Sequence, residues 1–373
     1  MKDNRILGLD IIRTFAIISV LIIHTTDLAT KNVNHYLQFV KFDGVLYFFV
    51  LSGFLIGSIL IKSFEKSFRF IDIWNFWIRR WFRTLPNYLL FLILLMILQG
   101  EYKLRIFKYI FFAQNFYKPI SDFFPESWSL TIEEWFYMAL PIMLFILHRV
   151  LKIKFKTAVL VIVLSVILIT PLIRYYLCIN YNVTNQLSWN CFIRGIAICR
   201  FDSIIFGVLG AYIWHYYPLI WLQYKKKLLI LGVLAILGFR YLEINWQHLF
   251  FDDRPAIFMS VYYLSIQSFL VLLLLPYLSD FKTHRENLLI SSIRNISLSS
   301  YSIYLVNYSL VKGIVLVYIQ NLLVTLVNDD LLELILISMF WILSIGSSIL
   351  LYKHFELPFM NLRDLYSHSK TNI

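Results

Sequence analysis

Two ionisable side chains, Arg13 and His24, lie within the first long apolar segment of the chain. At about 100° per residue, the helix turns between these two residues by about 20° more than three full turns. They therefore share one helix face, roughly 16 Å apart along the axis. Histidine titrates near neutral pH, which suits a general base. The structural alternative is that Arg13 snorkels to an interface and His24 is a satisfied helix-end residue.

Two carboxylates occupy the fourth apolar segment, about 7–9 Å from its start near residue 128. Because adjacent helical positions diverge by about 100°, at most one of Glu133 and Glu134 faces a shared pocket. We expect Glu133 to orient or charge-balance His24, as the carboxylate of a hydrolytic triad does. Alternatively, His24 acts as a nucleophile and forms a covalent intermediate, and these residues do not separate the two mechanisms.

Polar groups in two later apolar segments are expected in the same network. The sixth segment carries Arg200 and Asp202, and the ninth carries Asn307 and Lys312. The structural alternative is an Asp–Arg or Glu–Arg pair that neutralises itself, because buried charges are usually paired whatever their function.

Three arginines, Arg79, Arg80 and Arg83, precede the third apolar segment. The spacing places Arg79 and Arg83 on one helix face, and guanidinium groups bind phosphates through bidentate hydrogen bonds. The alternative is an ordinary basic anchor at a membrane surface. An anionic group held by these arginines could extend a reactive end toward His24.

The elements that position these residues are membrane helices. The chain of 373 residues is 60% hydrophobic and only 15% charged, whereas soluble domains are about 45–50% apolar and about 25% charged. The net charge of +12 does not indicate nucleic-acid binding, because the basic residues lie in short loops between apolar runs. The three cysteines show neither a disulfide framework nor metal-ligand spacing.

Ten segments are long enough to cross a bilayer, which takes roughly 20 apolar residues. They are 6–28, 44–62, 84–100, 128–148, 157–177, 195–215, 228–242, 257–278, 296–319 and 331–352. The sequence predicts an all-α polytopic membrane bundle with one transmembrane domain, residues 1–360, and a short cytoplasmic tail, 361–373. Lys and Arg are concentrated in the loops on one side, so both termini are predicted to be cytoplasmic.

An ordered set of motifs resembles the acyltransferase-3 family, whose members are integral-membrane acyltransferases of surface and secreted glycans. Arg13 to His24, with ten residues between them and Leu9-Asp10 before them, is similar to the family's opening motif. The other matching stretches are Gly44–Ile56, Arg79-Arg80-x-x-Arg83 with Pro86 and Tyr88, Ser127–Tyr137, Arg200-Phe201-Asp202, Ser300–Leu305 and Glu356-Leu357-Pro358. Two departures are Leu46, where the family often has aspartate, and Asn307, where it often has histidine.

The resemblance implies an acyl-CoA-dependent O-acyltransferase with no permanently bound cofactor and no metal. Acetyl-CoA or another short acyl-CoA would be the donor, and the acceptor would be a sugar hydroxyl of a polysaccharide, an O-antigen or a lipid-linked glycan. The implied location is a bacterial inner membrane, with a homo-oligomer or a polysaccharide-assembly protein as a further partner. The implied site residues are catalytic His24, Glu133 and Arg13, donor-binding Arg79, Arg80, Arg83 and Asp10, and supporting Glu134, Arg200, Asp202, Ser129, Tyr301 and Asn307.

The main alternative is a transporter or flippase of a glycan or lipid-linked precursor. Such proteins also have many spans, buried charges and basic loops. Transporters often show internal repeats and helices broken at the midplane. No repeat is evident here, and the polar residues lie toward the two ends of the spans, which favours the enzyme.

Overall fold

The computed structural model describes residues 5–65, 68–100, 106–119, 123–245, 251, 255–283 and 285–366. Helix makes up 83% of these residues and no strand occurs among them, which confirms the all-α fold class. The long helices are α1 Leu7–Thr25, α2 Gly44–Phe64, α3 Phe70–Gln99, α4 Trp128–Phe145, α5 Phe155–Asn180, α6 Phe201–Tyr216, α7 Lys225–Asn245, α8 Leu264–Leu272, α9 Leu288–Val306 and α10 Asp329–Leu351.

Shorter elements extend or join these helices. Segments of π-helix continue α4, α9 and α10 and precede α8. In chain order the shorter elements are Lys31–Leu37, Gln38–Val40, Ile106–Ile110, Pro125–Ser127, Ile146–Val150, Gln186–Trp189, Asn190–Arg194, Ala197–Cys199, Pro218–Gln223, Phe258–Tyr263, Leu275–Leu278, Asn307–Leu316, Val317–Leu323, Tyr352–Glu356 and Leu357–Tyr366.

Nine helical stretches in the described residues are long and apolar enough to cross a membrane. They coincide with nine of the ten predicted spans, and the protein is a multi-pass membrane protein. The sixth predicted span, 195–215, differs: α6 has 16 residues, which at about 1.5 Å per residue reaches about 24 Å. Its predicted first turns are instead occupied by the 3-10 turn Ala197–Cys199 and the residues beside it.

Helix α3 begins at Phe70, well before the predicted span at residue 84. The Asp72 carboxylate accepts a hydrogen bond from the Arg69 backbone N–H at 2.9 Å and so caps the first turn. Hydropathy alone misses this start, because the arginines lower the apolar score of the segment. The three arginines therefore lie inside a continuous helix of 30 residues and not at its entrance.

Helices α2 and α6 cross with their backbones in contact. A Cβ atom added to Gly53 would lie 1.9 Å from the Ile204 carbonyl oxygen, and one added to Gly207 would lie 2.0 Å from the Val50 carbonyl oxygen. Small residues allow such close approach of membrane helices, where dispersion contacts replace the hydrophobic effect as the source of association. This crossing fixes α2 beside the candidate site.

Helix α1 lies at the centre of the site and packs against α2 and α9. Ala16, Ile17 and Leu21 are almost wholly buried in the main hydrophobic cluster. The other side chains on α1 that face α9 are polar, and Thr14 donates a hydrogen bond to the Ile293 carbonyl at 2.9 Å. Because α1 is held on both sides, Arg13 and His24 have fixed positions along one axis.

Candidate active site

A cavity of about 100 Å³ opens between α1, α2, α3, α4 and α9, and we call it the arginine-end cavity. Its charged lining residues are Arg13, Arg80, Arg83 and Glu133. Its polar lining residues are Ser52, Thr84, Ser129, Ser300, Tyr301 and Tyr304. The structure thus brings together residues from five helices that the sequence analysis singled out separately.

The guanidinium groups of this cavity are weakly engaged by the protein. The Arg80 guanidinium carbon lies 4.3 Å from the centre of the Tyr137 ring, and Arg13 donates to the Ser297 hydroxyl at 3.4 Å. Arg83 has no hydrogen-bond or ion-pair partner within the described part of the chain. Three cations facing one carboxylate leave a net positive cavity, which suits an anionic ligand.

Asp10 lies beside this cavity but is already engaged. Its carboxylate pairs with Arg5 and accepts a hydrogen bond from the Ser297 hydroxyl at 2.7 Å. The side chain is buried, and it is not among the residues that line the cavity. Asp10 is therefore linked to the predicted donor-binding arginines indirectly, through its neighbours Arg13 and Ser297.

The two adjacent glutamates take different positions, as helical spacing requires. Glu133 lines the cavity and accepts a hydrogen bond from the Tyr137 hydroxyl at 3.0 Å. Glu134 is only 3% exposed and is not part of the lining. Glu133 was expected to orient His24, but here it interacts with Tyr137 at the arginine end.

A hydroxyl pair closes the far wall of the cavity. The Ser129 and Tyr304 hydroxyls lie 2.7 Å apart, and Tyr304 also donates to the Glu126 carbonyl at 2.9 Å. Tyr301, one turn earlier on α9, donates to the Thr84 carbonyl at 2.8 Å. These bonds tie α9 to α3 and α4 around the cavity.

The His24 ring is held by Asn307, which follows Tyr304 by three residues in the sequence. Nδ1 of His24 lies 2.5 Å from Oδ1 of Asn307. Both amide hydrogens of Asn307 are used elsewhere, because Nδ2 donates to the carbonyls of Ile303 at 2.7 Å and Tyr304 at 2.9 Å. The oxygen of Asn307 must then accept from Nδ1–H, so the neutral ring carries its lone pair on Nε2.

The π-helix Asn307–Leu316 brings further groups to His24. The Tyr308 ring centre lies 4.6 Å from that of the histidine, and the Lys312 ammonium lies 4.5 Å above the same tyrosine ring. Lys312 also pairs with Asp27 of the first loop. Lys312 and Asn307, expected in the network of His24, do lie next to it.

Arg200 and Asp202 are both fully buried but face different partners. Asp202 pairs with Arg174 at 2.7 Å and accepts from Ser265 at 2.5 Å. Arg200 lies 3.8 Å from Asp43 and stacks over Trp128 at 5.7 Å. Asp202 therefore belongs to a structural pair between α5 and α6, whereas Arg200 faces the site.

A second cavity of about 400 Å³ lies at the N-terminal end of α2, and we call it the histidine-end cavity. Ile23, the residue before His24, is part of its wall. Val45 lines the first cavity, while Leu46 and Tyr47 line the second. The first turn of α2 therefore separates the two spaces, and His24 follows the wall residue Ile23 in α1.

Sequence reasoning missed several polar residues of this site. They are Asp43, Glu126, Tyr137, Arg174, Arg194, Arg240 and Glu243. Three signals could have indicated that Arg174 pairs with Asp202. Arg174 is a lone cation inside one span, Asp202 is a lone anion in the next, and leaving either charge unpaired inside a membrane is costly. Among the described residues, no group of three or more His, Cys, Asp or Glu is arranged to hold a metal ion.

Comparisons with known proteins identify the family of the chain. The acyltransferase-3 family model, described as an acyltransferase domain, matches residues 6–353. The O-acetyltransferases OatA of Staphylococcus aureus strains NCTC 8325 and COL are each 29% identical over 339 residues. Each alignment covers 84% of this chain and 52% of the relative, so the chain spans about half the length of these curated relatives. No solved structure matches.

Proposed function

The chain belongs to the acyltransferase-3 family, and from this premise we propose that it transfers an acetyl or other short acyl group from acyl-CoA to a sugar hydroxyl. The acceptor is a cell-surface polysaccharide, an O-antigen or a lipid-linked glycan. The membrane is a bacterial inner membrane, and the arginine end faces the cytoplasm, where acyl-CoA is made. The O-acetyltransferase activity named for the OatA relatives supports the reaction class.

One observation carries this proposal: Tyr304 in the wall of the arginine-end cavity lies one helical turn from Asn307, which fixes the tautomer of His24. Arg13, Arg80 and Arg83 lie at the cavity, and Tyr304 in its wall is three residues from Asn307. A donor held by its phosphates at the arginines would point its thioester past Tyr304 toward His24. The helical spacing of Arg13 and His24 corresponds to roughly 16 Å, a distance that a long donor can bridge.

The donor is bound by charge and shape. Arg80 and Arg83 hold phosphate oxygens through charge-assisted hydrogen bonds, which are shorter and stronger than neutral ones. Glu133 keeps the guanidinium of Arg80 oriented through Tyr137, on whose ring that guanidinium lies. Ser129 and Tyr304 supply hydroxyl groups beside the path of the thioester.

The transfer step uses Nε2 of His24 as the base. Nε2 takes the proton of the acceptor hydroxyl while the hydroxyl oxygen attacks the thioester carbonyl carbon. The carbon–sulfur bond then breaks, and the proton passes from His24 to the departing thiolate. The products are the O-acyl sugar and CoA thiol. Asn307 holds the ring in the tautomer that this step needs.

The test measures thiol release from acetyl-CoA by the detergent-purified protein, with CoA binding measured separately by calorimetry. His24→Ala is expected to lower the rate by about 10²–10⁴-fold, the usual contribution of a general base, while CoA still binds. Asn307→Leu is expected to lower the rate by less, because the ring remains but its tautomer is no longer fixed.

His35→Ala is the matched control, since His35 is exposed on the short helix Lys31–Leu37. Wild-type rates in His24→Ala would contradict the assignment of the base. A wild-type protein that neither binds acetyl-CoA nor releases thiol would instead favour a transporter of a glycan or lipid-linked precursor.

A further inference from the structure

The histidine-end cavity has a lining unlike that of a lipid pocket or an anion site. Its charged residues are Lys41, Asp43, Arg194, Arg240 and Glu243. Its aromatic residues are Phe42, Tyr47, Trp189, Phe251 and Tyr263. Its volume of about 400 Å³ falls in the usual range for small-molecule sites, about 300–1,000 Å³.

Most of these charges are paired with one another. Arg194 lies 3.2 Å from Asp43, and Arg240 lies 2.6 Å from Glu243. Each carboxylate keeps lone pairs beyond those used by its arginine, because two oxygens offer about four acceptor sites. The cavity therefore presents both donors and acceptors with little net charge.

Several polar side chains of the lining are unused, among them Lys41 and Gln267. Lys41 and Gln267 are half-buried, line the cavity and have no hydrogen-bond or ion-pair partner within the ranges that the structure describes. An ammonium group offers three donors, and a carboxamide offers two donors and one acceptor. Both groups are free to bind a ligand.

The walls are held rigidly by the protein. The Trp189 indole N–H donates to the Met259 carbonyl at 3.0 Å, and the Tyr263 hydroxyl donates to Glu243. The Trp189 and Tyr263 rings meet edge to face with centroids 5.8 Å apart. Fixed aromatic faces beside free polar groups suit a ligand with an apolar face and a rim of hydroxyls.

We propose that the histidine-end cavity is the acceptor site and that it binds one uncharged pyranose residue of the glycan, with Lys41 and Gln267 as its free hydroxyl-binding groups. This inference rests on the proposed function and adds the place and chemistry of the acceptor. A sugar hydroxyl both donates and accepts, so it matches a lining of mixed polarity. A phosphate would meet only one unpaired cation, Lys41, because both arginines are paired with Asp43 and Glu243. An acyl chain would leave the polar groups of the lining without hydrogen-bond partners.

The location also suits the transfer step. The cavity wall includes Ile23, which immediately precedes His24 in α1, and Leu46 in the first turn of α2. A sugar held there presents its hydroxyl to Nε2 from the side opposite the donor. Donor and acceptor then meet at the first turn of α2.

The test measures sugar binding directly, by saturation-transfer NMR on the full chain in detergent. The probes are the methyl glycosides of glucose, galactose and N-acetylglucosamine at millimolar concentration. Lys41→Gln is expected to weaken binding of the best probe about tenfold, and Gln267→Ala about threefold, as for loss of one charged and one neutral hydrogen bond. Lys118→Gln is the control, because Lys118 is exposed outside the cavity.

Sugar binding and acetyl-CoA binding are scored separately, so the two proposals can fail independently. Equal sugar affinity in the wild type and in all three variants would overturn the cavity assignment while leaving the enzyme proposal intact. Absence of binding by any probe would overturn it as well. Thermal unfolding midpoints within about 2 °C of wild type show that the variants are folded.

Discussion

The two cavities of this protein lie on either side of the first turn of α2 and differ in how their charges are balanced. At the arginine end, three guanidinium groups face one carboxylate. At the histidine end, two arginines are paired with two carboxylates, and Lys41 is the cation left over. The arginine-end cavity is therefore suited to an anion, and the histidine-end cavity to a neutral polar molecule.

This difference shows that charge content alone does not indicate what a membrane cavity binds. The histidine-end cavity has more charged lining residues than the arginine-end cavity, five against four. Pairing decides the outcome, because a paired cation is already neutralised. The arginine end has three cations for one carboxylate, whereas pairing at the histidine end leaves a single ammonium group, Lys41. The substitutions below alter the charges of one cavity and leave the other cavity intact, and the change of ionic strength compares the two cavities.

The largest effect is expected at the arginine end. Arg80→Gln combined with Arg83→Gln removes two unpaired cations, and each charge-assisted hydrogen bond contributes about 1.5–3 kcal/mol. Acetyl-CoA affinity should therefore fall by about 10²–10⁴-fold in a calorimetric titration. Arg285→Gln, in an exposed loop outside the cavity, serves as the control and should bind like wild type. Comparable binding by the double variant would show that the cavity does not hold the donor.

A smaller effect is expected when the histidine end is made to resemble the arginine end. Glu243→Gln leaves Arg240 without its carboxylate, so the cavity gains net positive charge. Affinity for methyl glucuronoside should then rise about fivefold relative to methyl glucoside, measured by NMR titration. Glu333→Gln provides the comparison, since Glu333 accepts a hydrogen bond from Thr30 outside the cavity. An unchanged ratio would mean that Arg240 does not face the sugar.

The smallest effect is expected from salt. Raising ionic strength from about 0.05 M to about 0.5 M shortens the screening length severalfold. The KM for acetyl-CoA should rise about threefold, while the KM for a methyl glycoside should change by less than twofold. Initial-rate measurements at fixed detergent concentration separate the two. An equal response of both constants would contradict the assignment of the anion to one cavity and the neutral ligand to the other.

Much of the fold and part of the site could be predicted from the sequence. Apolar length predicted ten spans, nine of which correspond to helices in the described residues that are long and apolar enough to cross a membrane. Helical periodicity placed Arg13 and His24 on one face of α1. The divergence of adjacent helical residues also predicted that only one of Glu133 and Glu134 would face a pocket, and Glu133 does. These inferences succeed because they depend on geometry within one helix.

What could not be predicted depends on how helices meet. The contact between His24 and Asn307 joins residues 283 positions apart in the sequence, and no pattern within either helix contains it. The pairing of Asp202 with Arg174 instead of Arg200 is of the same kind. The start of α3 at Phe70 was missed for a different reason, because its arginines are placed by cavity contacts that hydropathy does not describe.

The close crossing of α2 and α6 has a consequence for biogenesis. Gly53 and Gly207, whose contacts bring the two backbones together, are about 150 residues apart along the chain. At a synthesis rate of about 5–20 residues per second, α2 waits on the order of ten seconds in the bilayer before α6 is made. During that interval its groove is covered by lipid tails, which α6 must displace on arrival. The crossing that fixes α2 beside the candidate site is therefore completed late, after more than half of the protein has been inserted.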